Sequence, residues 1–191
     1  MVTTTQKPIV EDSSESINIL QPNSLEDWLE NPLDGTEWVN GELTEKLGMT
    51  LTHSKIQRRL STAWANYQTE KNLGGEVYTE APCKTNSQGR KPDAAYLTQD
   101  LLEKHGQSKV LPQSFPLSAE IVSPSDLAEN IFAKADEYLS SGGEEVWLIF
   151  PENQRVIVMT ADSEQTFKAG ETAKTQRILE GFSISVDELL T

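Results

Sequence analysis

Apolar residues recur at helical spacing across residues 52–72, where Ile56, Leu60, Ala63, Trp64 and Tyr67 cluster on one side at about 100° per residue. His53 falls on that side, and Lys55, Arg58 and Arg59 lie roughly opposite. A second helical stripe, Leu127, Ile131, Ala135 and Tyr138, follows Ser125 or Asp126 as cap and ends near Ser140, before Gly142-Gly143. Val146–Phe150 is instead a continuous apolar run of strand length, which suits a strand buried on both faces. Leu117–Val122 reads as a strand broken by Pro124, with shorter strands near Glu76–Glu80 and Pro92–Leu97 joined by a polar loop, Asn86 to Lys91. Residues 98–115 read as a brief helix and a long loop. Further strands are expected at Arg155–Thr160 and Gln165–Lys168, then a short strand and terminal helix between Gly181 and Leu190. Near the start, Ser24 with Asp27 has capping-box spacing for a short helix through Trp28. Asn40-Gly41 between Thr36–Val39 and Glu42-Leu43 predicts a hairpin with a type I′ turn.

This order predicts a mixed α/β (α+β) domain over residues 23–191, a central mixed sheet flanked by the two long helices. Residues 1–22, polar and serine- and threonine-rich, read as a flexible tail. With 36% hydrophobic and 24% charged residues in 191, a packed core is feasible without staples. The single cysteine, Cys83, rules out an internal disulfide and a cysteine-based zinc site, as expected of a reducing cytoplasm. No membrane span and no signal-peptide pattern stand out, so a cytoplasmic protein with no membrane partner is expected.

Charge changes the picture in one place. The formal net charge of −14 argues against a general nucleic-acid binder. Between Lys46 and Lys91, however, eight basic residues face only three acidic ones, Glu70, Glu76 and Glu80. A basic patch on an acidic body is therefore open, beside the plainer reading of solvated charges.

No nucleophile elbow, phosphate-binding loop or His-Glu-x-x-His helix is present, and what remains is carboxylate chemistry. Asp93 opens one strand within Arg90-Lys91-Pro92-Asp93, and Glu120 sits among Ala119, Ile121 and Val122 in another. An unpartnered carboxylate in that setting is costly, and two brought together repel unless a cation stands between them. Mg²⁺ suits such a pair, since it takes one or two carboxylates and keeps waters or phosphate oxygens. Lys134 falls at the border of the second helical stripe, either snorkelling at the core edge or aimed at the carboxylates. On either reading, methionine there is expected to preserve the packing.

The ordered set Pro92-Asp93, Glu120-Ile121-Val122-Ser123-Pro124-Ser125-Asp126, Lys134 with Tyr138, and Glu145-Val146-Trp147-Leu148 resembles the Uma-type putative restriction endonucleases of the PD-(D/E)XK nuclease superfamily. The resemblance extends from Ser24–Trp28 and Glu37-Trp38-Val39-Asn40-Gly41-Glu42-Leu43 to Gly181-Phe182. It implies a restriction-endonuclease-like fold and Mg²⁺-dependent hydrolysis of nucleic acid, DNA in the first place, with Mn²⁺ as substitute. By the same resemblance Asp93 and Glu120 are the metal carboxylates. Val122 stands where the wider superfamily has its lysine, so that role passes to Lys134. Glu37 or Glu42 is the additional acidic residue, and His53 matches a recurrent family histidine that equally suits a buried structural imidazole. Phe150 replaces the family's usual Asp before Pro151. Lys55, Arg58, Arg59, Arg90 and Lys91 are candidate phosphate contacts. A non-catalytic binding or assembly module of the same fold is the alternative, and a homodimer is left open.

Overall fold

The computed structural model describes residues 21–46 and 50–191. The expected tail therefore lies, but for its last two residues, outside the described residues. In chain order the elements are α1 (Leu25–Glu30), β1 (Thr36–Val39), β2 (Glu42–Glu45), α2 (Leu51–Lys71), β3 (Glu76–Tyr78), β4 (Cys83–Lys84), β5 (Gly89–Arg90) and β6 (Ala94–Leu97). They continue with α3 (Gln99–His105), β7 (Leu117–Ile121), α4 (Ala128–Ser140), β8 (Glu145–Phe150), β9 (Arg155–Met159), β10 (Glu164–Lys168), β11 (Thr172–Lys174), β12 (Ser183–Ser185) and α5 (Val186–Leu190).

Local signals set several boundaries. Ser24 caps α1 by accepting the Asp27 N–H, and the Asp27 carboxylate returns to the Asn23 N–H. Asn40 and Gly41 both have positive φ (53° and 83°), as a type I′ turn requires, and β1 and β2 pair antiparallel around them. Thr50 caps α2 through the His53 N–H, and Asn72 ends it in the left-handed conformation.

The main sheet has six strands in the order β10-β9-β8-β7-β6-β3. Only β7 and β8 run parallel, joined by the crossover through α4; the other pairs are antiparallel. Alternation along the strands splits the core. Ala94, Tyr96, Ala119, Trp147 and Ile149 pack with Ile56, Leu60 and Trp64 of α2 and with Leu189 of α5. Ala95, Leu97, Val146 and Leu148 pack with Ile131, Ala135 and Tyr138 of α4 on the other face. The fold is thus a mixed α+β sheet flanked by helices, as the pattern predicts. It also carries two smaller sheets, β2-β1-β5-β4 and β11-β12.

Two corrections concern α4. It starts at Ala128 with Leu127 as an uncapped N-cap, because Asp126 closes a turn instead, accepting the Ser123 N–H at 2.7 Å while its own N–H goes to the Ser123 carbonyl. Leu127 accordingly lies outside the core, 67% exposed.

One register positions the site. Ala94 pairs with Ala119 across β6 and β7, which sets Asp93, the residue before β6, opposite Glu120.

Candidate active site

Asp93 is 2% exposed and uses both carboxylate oxygens. Its Oδ1 accepts from Lys46 Nζ (2.9 Å); its Oδ2 accepts the Ile121 N–H (2.7 Å) and faces His53 Nε2 (3.1 Å). Glu120 projects toward α4, where its Oε1 accepts from the Tyr138 hydroxyl (2.7 Å) and pairs with Lys134 Nζ (2.9 Å). The same ammonium reaches Glu37 Oε1 at 3.0 Å. Glu37 comes from β1 and is held on both oxygens, by the Lys91 N–H at 2.9 Å and by Arg90 at 3.1 Å. Arg90 in turn forks onto Glu137 of α4, with Nε 3.1 and 3.2 Å from its two oxygens. Glu37, Lys46, His53, Asp93, Glu120 and Lys134 all line one cavity of about 160 Å³.

Burial alone would raise all three carboxyls, and their neighbours separate them. Burial pushes Glu120 up to about 7, with Lys134 opposing and the Asp93 charge adding to the rise. Burial also acts on Glu37, but Lys134, Lys46 and Arg90 outweigh it and bring the carboxyl down to about 2. Asp93 is likewise buried, yet the His53 hydrogen bond and the Lys46 charge hold it well below the usual carboxylate range. Burial would lower Lys134, and Glu120 and Glu37 reverse that, so the ammonium stays charged. A set of neighbouring carboxyls driven apart in this way is characteristic of sites that handle protons or cations.

The sequence profile of the Uma2 family, described as a putative restriction endonuclease, matches residues 22–187. The chain belongs to this family. In fold it is similar to a crystal structure of a putative nuclease belonging to DUF820 from Anabaena variabilis, with a TM-score of 0.77 over 88% of this chain and 98% of that one, at 18% identity. None of the curated proteins compared matches the chain.

Against the Uma2 resemblance, the structure brings Asp93, Glu120, Lys134, His53 and Glu37 together. Glu42 is instead exposed beside the hairpin turn, so Glu37 is the acidic residue that the fold places in the cavity. Most of the basic candidates have internal partners. Lys55 Nζ donates to the Thr191 carbonyl (2.8 Å) and Arg59 to the Glu188 carbonyl (3.1 Å), gripping the C-terminal end of α5 where carbonyls and helix dipole favour cations. Lys91 is buried, donating to the Leu33 carbonyl (2.6 Å) beneath the Trp28 ring, and Arg90 is spent on Glu37 and Glu137. Among the five, only Arg58 remains exposed.

Lys46, Glu80, Gln57, Tyr138 and Glu137 join this cluster in the Uma2 chain, and none of them is a candidate from the sequence. Tyr138 does carry a signal, since it lies four residues after Lys134 and i and i+4 share a helix face. Lys46 and Glu80 had none beyond their charge.

The Glu37 pairing fixes a pH dependence. Its folded pKa lies below its unfolded value, so the stabilisation is present above about pH 4.5 and is lost as pH falls toward about 2. In metal-free protein, acid unfolding followed by circular dichroism is expected to show a smaller loss of stability over that interval for Glu37→Gln than for wild type. Equal losses would contradict the pairing.

Proposed function

We propose that the chain is a divalent-metal-dependent nuclease that hydrolyses phosphodiester bonds of nucleic acid, with DNA as substrate and Mg²⁺, replaceable by Mn²⁺, as cofactor. Residues 23–191 form its nuclease-like domain. The observation that carries this reading is the cross-strand placement of Asp93 and Glu120 on one cavity, with Lys134 between Glu120 and Glu37.

The donor set fits the ion. Asp93 and Glu120 supply two carboxylates to one cavity. A site resting on two carboxylates and otherwise on water or phosphate oxygen is the arrangement Mg²⁺ favours, whereas Zn²⁺ seeks His and Cys. Asp93 and Glu120 would hold the metal, which when bound supplies Lewis acidity and a more acidic water. The rest falls to the protein. Hydrogen bonds from Ile121 and His53 fix the Asp93 carboxylate and keep it ionised. Glu37 orients the Lys134 ammonium toward Glu120, where it can hold the attacking water and offset charge developing on phosphate. With most nearby basic side chains paired internally, phosphate is engaged in the cavity rather than on a basic surface. Among the described residues no helix is long and apolar enough to cross a membrane.

The test incubates the full chain with supercoiled plasmid and with RNA, in Mg²⁺, Mn²⁺ or chelator. Cleavage with either metal and none in chelator is expected, with loss in folded Asp93→Asn and Glu120→Gln. Metal-independent cleavage, or none on any nucleic acid, would contradict the reading; the second result favours the non-catalytic module.

A further inference from the structure

Lys46 stands just beyond β2, and its ammonium is seated in a cage of three oxygens from separate parts of the chain. It donates to Glu80 Oε2 at 2.6 Å, to the Lys91 carbonyl at 2.7 Å and to Asp93 Oδ1 at 2.9 Å, which uses all three of its N–H bonds. The side chain is only 16% exposed. The cage is built rather than incidental. Glu80 takes a left-handed backbone conformation (φ 53°), which a non-glycine residue rarely adopts, and its N–H is tied to the Pro92 carbonyl. Its second oxygen accepts from Gln57 Nε2 (3.0 Å), and that same amide donates to the Asp93 carbonyl (2.8 Å). Two carboxylates and a backbone carbonyl are the oxygen donors a hard divalent cation takes. Here a side-chain cation fills the position, and it shares Asp93 with the pair already described.

We infer that Lys46 is a resident second cation: its ammonium occupies, beside the Asp93–Glu120 position, the place where a two-ion site would hold its other metal. The chain then recruits a single divalent ion per active site. This rests on the nuclease reading for the identity of the ion, and it assigns Lys46 a charge-supplying role distinct from that of Lys134. Two-metal sites place their ions about 3.5–4 Å apart around a shared ligand, and a lysine fixed on that ligand performs the electrostatic part without a second binding equilibrium.

The test counts Mn²⁺ bound per full chain, from the electron paramagnetic resonance signal of free Mn²⁺ during titration. It compares wild type, Lys46→Met and the double variant Lys46→Met/Glu80→Gln. Lys46→Met is expected to bind about one more ion than wild type, and the double variant to lose it again. An unchanged count in folded Lys46→Met would overturn the inference, leaving Lys46 a structural ion pair. Should Lys46→Met unfold in chelator, circular dichroism during Mn²⁺ addition decides: recovery of the wild-type spectrum supports the inference, and a chain that stays unfolded overturns it. The difference in count does not depend on the wild-type value. Wild type binding none while Lys46→Met binds one would sink the Asp93–Glu120 site, and the ammonium would then stand in a metal's place alone rather than as a second cation.

Discussion

Lys134→Met is expected to abolish metal-dependent cleavage, by at least about 100-fold, and to lower stability by about 3 kcal/mol. Both effects come from one ammonium placed between the buried carboxylates of Glu37 and Glu120. From the sequence, methionine looks like a quiet replacement, matched in length at the edge of an apolar stripe. The structure corrects that expectation: the head group is not in water, and its removal takes a cation from two buried acids. Arg90 still holds Glu37, whereas Glu120 keeps only the Tyr138 hydroxyl, and protonation of Glu120 is its remaining relief. Mn²⁺ binding should persist in the variant and strengthen, since a cation competing for Glu120 is gone. Adding Glu37→Gln should recover part of the stability and none of the activity. Urea denaturation and plasmid nicking provide the two readings. Cleavage by Lys134→Met at the wild-type rate would remove Lys134 from the mechanism.

The largest effect on stability alone is expected at Glu145. This carboxylate opens β8 with no exposure at all. Its Oε1 accepts from Trp147 Nε1 at 2.7 Å, and its Oε2 accepts the N–H groups of Gln176 (2.8 Å) and Arg177 (2.7 Å). It thereby pins the turn that delivers Ile178 and Leu179 to the α2-side core beside Trp147 and Phe182. The Ile178 N–H adds a longer bond to Oε2 at 3.4 Å. Hydrogen bonds to a charged acceptor contribute about 1.5–3 kcal/mol each, and Glu145→Ala leaves these four donors unanswered. We expect a loss of about 4 kcal/mol, a large share of the 5–15 kcal/mol typical of a domain. Glu145→Gln, which keeps a carbonyl acceptor for part of the set, should lose about half as much. Because Glu145 does not line the cavity, Mn²⁺ affinity at low temperature should be unchanged in both. A loss below about 1 kcal/mol for Glu145→Ala would show that the turn is held by other contacts.

The contrast between these positions shows what a sequence discloses. Asn40-Gly41 encodes its hairpin because the turn conformation is a property of those two residues. The Val146–Phe150 run encodes a doubly buried strand because apolar side chains on both faces have no other use. Glu120 stands out because a carboxylate within an apolar run demands a partner, and Asp93 because it opens a strand inside the Arg90-Lys91-Pro92-Asp93 motif. Strands β4 and β5 carried no such signal. Two residues hold no period, and Gly89 serves packing rather than turning, since a Cβ there would come 2.4 Å from the Trp28 ring. Lys55 and Arg59 read as an outward basic face because α5, which returns more than a hundred residues later to cover them, leaves no trace in the local pattern. Lys46 and Glu80 escaped for the same reason. A lone charge in a polar stretch looks solvated until the fold closes other elements around it.

If Asp93 and Glu120 hold one divalent ion, anomalous diffraction from wild-type crystals soaked in Mn²⁺ will locate it. The expected result is a single anomalous peak in the cavity, bonded to both the Asp93 and Glu120 carboxylates, with the Lys46 ammonium still in its cage. A peak bonded to neither carboxylate, or a cavity that takes up no Mn²⁺ at saturating concentration, would contradict that assignment.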